Sequence, residues 1–133
     1  MKLSFAAYFA ALLVVAALDF VWLGLVATQW YQAGIGHLMA SQPRVGAAAA
    51  FYLLYPVGLV LFAVGPAQGN VARALRLGGL FGLFAYGTYD VTSLAILRDW
   101  PLGLSLLDTA WGGCVSAAAS AAGATIWRRA AAY

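Results

Sequence analysis

An all-α membrane protein is what this sequence predicts: four transmembrane helices in an antiparallel bundle, with the N and C termini cytoplasmic. Three observations lead there. Hydrophobic residues make up 65% of the 133-residue chain and charged residues only 8%, against about 25% charged in a typical soluble domain. Four apolar segments, at about 3–27, 45–64, 75–97 and 102–127, each reach the roughly 20 residues that a helix needs to cross a bilayer. None of them alternates polar and apolar residues as a β-barrel strand would. The segments use most of the chain, so residues 1–133 are expected to form a single four-helix transmembrane domain.

The first segment follows Lys2 and superficially resembles a secretory leader. It runs past Asp19 to about Ala27, longer than the apolar core of such leaders. A retained membrane helix is therefore expected. The second segment starts at Val45 and is expected to close at Gly65-Pro66. Gly34, Gly36 and Pro43 mark the first loop, and Gly65, Pro66 and Gly69 the second. The third connection is the tight Arg98-Asp99-Trp100-Pro101, which suggests Asp99 as N-cap and Pro101 in the first turn of the last helix. Lys2, Arg73, Arg76, Arg128 and Arg129 fall on one side of such a bundle, Arg44 and Arg98 on the other. The richer side is expected to be cytoplasmic.

The basic residues sit at segment ends and form no tract, which argues against nucleic acid as a partner. Membrane lipids are the expected partners. Trp30, Tyr31, Trp100 and Trp127 lie near segment ends, where aromatic rings favour the membrane interface. Cys114 is the only cysteine, so no internal disulfide forms, and a small packing role is expected for it. Gly78 and Gly82 form a GxxxG pair, and Gly112, Ser116, Ser120 and Ala124 recur every fourth residue. Such faces let helices approach closely in lipid, either within one bundle or across a homodimer.

The aspartates carry most of the chemical information. The chain has no glutamate, and Asp19, Asp90 and Asp108 fall inside apolar segments. Each carboxylate at membrane depth costs about 2.5 to 3.5 kcal/mol on insertion scales. They must therefore face inward to partners or carry a proton. Counted from the segment ends, all three lie roughly 9 to 12 Å below the outer boundary. Tyr52 and Tyr55 fall in the same range. Leu18 to Gly24 and Leu107 to Gly113 share the pattern L-D-x-x-W-x-G, which puts Asp and Trp on one helix face. In antiparallel helices Trp22 nears the depth of Asp108, and Trp111 that of Asp19. Each indole is then placed to donate to the opposite carboxyl. Tyr52 with Tyr55 and Tyr86 with Tyr89 form a weaker paired pattern.

The motifs Asp19 to Gly24, Gly36-His37-Leu38, Tyr52 to Pro56, Tyr86 to Asp90, Arg98 to Leu102 and Leu107 to Gly112 follow one another along nearly the whole chain. In this order they resemble the bacterial membrane proteins grouped as domain of unknown function 2177. The resemblance implies four spans in the bacterial inner membrane and supplies no established activity. It also implies an association with lipid-modifying enzymes such as cyclopropane fatty-acid synthases, which points toward membrane lipid modification or envelope stress.

Two uses of the polar layer follow from the residues alone. It clamps helix register, or it lines a small outward-facing cavity of Asp, Trp and Tyr residues. In the second case Asp19, Asp90 and Asp108 would orient the polar end of a lipid or small apolar molecule, and Trp22, Tyr52, Tyr55, Tyr86, Tyr89 and Trp111 would pack around it. His37 and Arg98 would stand at the mouth. One alternative is an enzyme acting on lipid by carboxylate acid/base chemistry. Another is a small proton-coupled transporter. No metal is expected, because no H-x-x-x-H or E-x-x-H spacing occurs, and no cofactor is implied.

Overall fold

The computed structural model describes residues 2–133, and these are all-helical, without strands. Helix α1 spans Lys2–Val21 and continues through a π-helical turn, Trp22–Val26, to a break at Ala27. The short α2, Thr28–Ile35, runs into a 3-10 turn at Gly36–Leu38. Helix α3 covers Val45–Leu59, passes through a second π turn at Val60–Val64, and ends in α4, Gly65–Ala67. Helix α5 is Val71–Ile96 and α6 is Leu102–Ala131.

Several boundaries differ from the sequence reading, each for a local reason. Gly65-Pro66 does not close the second segment. The helix continues through the preceding π turn, and Pro66 sits just past that turn in α4, one residue before the helix ends. The turn after it uses left-handed backbone at Gln68 (φ 49°) and Gly69 (φ 82°). Helix α5 begins at Val71, about four residues early, because the Asn70 side chain caps it by accepting from the Arg73 N–H at 3.0 Å. Asp99 is not the cap of α6. Pro101 holds that position without a side-chain bond, and Asp99 instead faces His37. The first connection is not merely a loop, since it holds α2.

Helix α6 forms the middle of the bundle. On one side it meets α5 through the small residues. A Cβ on Gly82 would collide with the Gly112 carbonyl and Ser116, and one on Gly78 would collide with Ser120. The two repeating faces, readable as packing or as a homodimer surface, are thus buried against each other within one chain. On its other side α6 meets α1. Ala7, Ala11, Val15 and Asp19, every fourth residue of α1, are buried in one stripe. Ala11 and Val15 join Leu59 and Ala119 in a core cluster, while Ala7 packs with Val60 and Val64.

The large apolar side chains point the other way. Phe9, Leu13, Phe20, Leu54, Phe62 and Phe84 are each more than half exposed. A bundle with small and polar residues inside and apolar residues outside matches a lipid solvent. The helical stretches Lys2–Val26 and Val45–Ala67 are long and apolar enough to cross a membrane. Helices α5 and α6 carry more glycine, serine and charge, because their small and polar residues face each other.

The seam between α5 and α6 leaves no room for a methyl group. Gly82→Ala should therefore destabilise the protein by about 1 to 3 kcal/mol. Gly46→Ala, at a site with open space around it, should change stability little. Thermal unfolding of the detergent-solubilised protein, followed by size-exclusion chromatography, reads both.

Candidate functional site

The stripe on α1 that packs small residues against α6 ends at Asp19. The helix spacing that closes the lower seam therefore delivers a carboxyl group to the upper one. Asp19 is 5% exposed. Its Oδ1 accepts from the Trp111 indole N–H of α6 at 2.8 Å, and its Oδ2 accepts from the Tyr52 hydroxyl of α3 at 2.9 Å. Three helices are joined at one carboxyl. Both bonds lie in a medium poor in competing water, where an unmet acceptor would be costly.

The reciprocal pairing read from the two L-D-x-x-W-x-G motifs is half direct and half relayed. Trp111 donates to Asp19 directly. Trp22 donates to the Tyr31 hydroxyl at 3.2 Å, and Tyr31 donates to Asp108 Oδ1 at 2.6 Å. The two indoles stack face to face, with centroids 4.4 Å apart and planes 4° from parallel. The π turn that starts at Trp22 changes the helix phase beyond Asp19, and the chain then folds back through Ala27 into α2. That return sets Tyr31 over Asp108. Burial, and then the bond to Asp108, push the Tyr31 phenol well above the ordinary tyrosine value. It therefore stays a donor at neutral pH.

Asp90 of α5 is 1% exposed. Its Oδ2 accepts from the Thr109 hydroxyl at 3.1 Å, and its carboxyl neighbours that of Asp108. Asp19, Asp90 and Asp108 thus belong to one connected layer. Tyr55 and Tyr86 form the next tier inward. The Tyr55 hydroxyl pairs with Ser116 Oγ at 2.6 Å, and the Tyr86 ring covers Gly112 and meets Tyr55 edge-on at 5.9 Å.

Other residues singled out by sequence stand apart from the carboxyls. Tyr89 is 48% exposed and leans on Trp100 at 5.5 Å. Arg98 is exposed in the turn after α5. His37 Nε2 lies 3.3 Å from Asp99 Oδ2, tying the 3-10 turn to the α5–α6 connection. Among the described residues, no three His, Cys, Asp or Glu side chains gather as a metal-binding group.

Sequence reading missed Tyr31, Thr109 and Ser116 as members of the layer. Thr109 and Ser116 were within reach of pattern reasoning, since one follows Asp108 and the other sits on the four-residue repeat of α6. Tyr31 was not, because its role depends on the chain reversing at Ala27.

A groove of about 420 Å³ opens beside Asp19 and is lined by Ala16, Asp19, Phe20, Leu23, Gly24 and Tyr52. It lies on the outward flank of α1 and α3. Asp90 is enclosed, and Asp108 is half-buried beneath Tyr31.

Apolar flanks and a buried carboxyl layer in an all-helical chain are the marks of an integral membrane protein as a class. The family described as "Predicted membrane protein (DUF2177)" matches residues 4–125, and the chain belongs to that family. Neither the curated proteins nor the solved structures include a match to it.

The direct and relayed halves of the layer should differ in energy. Trp111→Phe keeps the stacked ring and removes a 2.8 Å bond to Asp19. It should cost about 1 to 2 kcal/mol. Trp22→Phe removes only a 3.2 Å bond to a hydroxyl and should cost about 0.6 kcal/mol or less. Unfolding in mixed detergent micelles measures both, and equal losses would contradict the assignment.

Proposed function

We propose that the chain is a four-span inner-membrane protein, with both termini cytoplasmic, that binds a lipid or small apolar molecule at its carboxyl and aromatic layer. The groove beside Asp19 and Tyr52 is the observation that carries this reading. Asp90 lines no such groove, whereas Asp19, itself 5% exposed, holds its two donors and edges this one. A carboxylate has about four lone-pair sites, so two internal bonds leave capacity for a ligand's donor.

The site proposed here is narrower than the cavity expected from sequence. Asp19, Tyr52 and Gly24 take the ligand, and Trp111 holds Asp19 in place. Trp22, Tyr31 and Asp108 support the stacked indoles. Tyr55, Tyr86 and Asp90 stiffen the α5–α6 side. His37 and Arg98 lie at the outer surface and contribute no contact to the ligand.

The orientation rests on charge. With four spans, Lys2, Arg73, Arg76, Arg128 and Arg129 fall at one end, against Arg44 and Arg98 at the other. The contact of Gly69 with Arg128 supports grouping the α4–α5 turn with the end of α6. The groove then falls in the outer half of the bilayer. A role beside lipid-modifying enzymes is consistent with a protein that presents or holds a lipid.

Native mass spectrometry of the gently solubilised protein tests this. One amphiphile per chain should be retained, and an Asp19→Asn variant that keeps its helical content should lose it. A protein that releases clean of lipid in wild-type form would leave the layer as a structural clamp.

A further inference from the structure

The groove beside Asp19 has a chemical asymmetry that narrows the ligand further. Both Asp19 oxygens accept hydrogen bonds, from one indole and one phenol, and neither donor carries a positive charge. The contact of His37 with Asp99 joins two exposed side chains elsewhere on the chain. The basic side chains belong to the ends of the helices. The negative form of Asp19 therefore has no counter-charge from the protein, in a setting where charge is weakly screened. The groove beside the carboxyl is also lined by Tyr52 and Phe20, aromatic rings of the kind whose faces attract cations.

Below this groove, the same flank of α1 and α3 holds a second one of about 450 Å³, lined by residues that include Phe5, Phe9, Val57 and Leu61. Tyr8 bridges the helices there, donating to the Leu53 carbonyl at 2.7 Å. Asp19 and Phe9 are ten residues apart on one helix, or about 15 Å. An acyl chain is long enough to follow that flank from the carboxyl into the apolar groove.

Resting on the lipid-binding reading above, we propose that the ligand is a single-chain amphiphile whose head is a hydrogen-bond donor without negative charge, a primary amine in preference to an alcohol. It enters sideways from the lipid between α1 and α3. Its head meets Asp19 and its chain lies along the lower groove. Fatty acids and other anionic heads find no positive partner at the same carboxyl.

Three probes of equal chain length separate the outcomes: hexadecylamine, hexadecanol and palmitate, each offered to the full-length protein in neutral detergent and read by native mass spectrometry. Hexadecylamine should be retained roughly tenfold over palmitate, as expected for a charge-assisted hydrogen bond, with hexadecanol between them. Asp19→Asn should remove that ranking. Gly24→Leu provides a second variant, because a Cβ there meets nothing within 4 Å. Its side chain should fill the upper groove and reduce retention of hexadecylamine without lowering the melting temperature. Palmitate bound as well as hexadecylamine would overturn the donor preference and leave the lipid site standing. Hexadecylamine retained unchanged in Gly24→Leu would overturn the placement. Retention of none of the three by the wild-type protein would overturn both this inference and the reading beneath it.

Discussion

Asp19 receives one hydrogen bond from Trp111 of α6 and another from Tyr52 of α3, and the positions of the three helices follow from that meeting. In lipid the apolar side chains gain little by choosing one neighbour over another. Polar groups behave differently, because a carboxyl without partners is expensive at membrane depth. The bond to Trp111 sets the register of α1 on α6, and the bond to Tyr52 brings α3 to the same level. The indole that donates to Asp19 is also the one that stacks on Trp22. Trp22 in turn reaches Tyr31 and, through it, Asp108.

The clamp operates only because backbone approach is close elsewhere. Ala7, Ala11 and Val15 let α1 settle on α6, and Gly123 of α6 has Val64 and the Ala7 carbonyl beside it. On the opposite face, Gly78 and Gly82 admit Ser116, Ser120 and the Gly112 carbonyl. This second contact brings Asp90 to Thr109. The layer of carboxyls is thus assembled at the height where two close-packed seams end. Packing with small residues and the placement of charge are one design in this bundle.

The surroundings of the three carboxyls differ. Asp90 is sealed, Asp108 is covered by α2, and Asp19 borders a groove. Asp19 and Asp90 are thus both buried, Asp108 is half-buried, and only Asp19 lines a groove. The π turn just after Asp19 contributes to this difference, since it ends α1 and turns the chain toward α2. Irregular helix of this kind is frequent at functional sites.

Composition, the four apolar segments and the breakers between them were sufficient for the helical class and for the membrane setting, because the length of a hydrophobic run and its freedom from charge are local properties of the chain. The shared L-D-x-x-W-x-G pattern, with an antiparallel run of the two helices, also placed Trp111 near the level of Asp19. Tyr31 could not be placed in that way. Its contact with Asp108 spans 77 positions of sequence and depends on a reversal at Ala27. The same holds for what the glycine faces of α5 and α6 meet within the chain, since their spacing alone does not name the partner. Side-chain identity and spacing determined which groups needed partners. Helix rotation, π turns and the return of α2 decided which partners they found, because these are set by contacts between residues far apart along the chain.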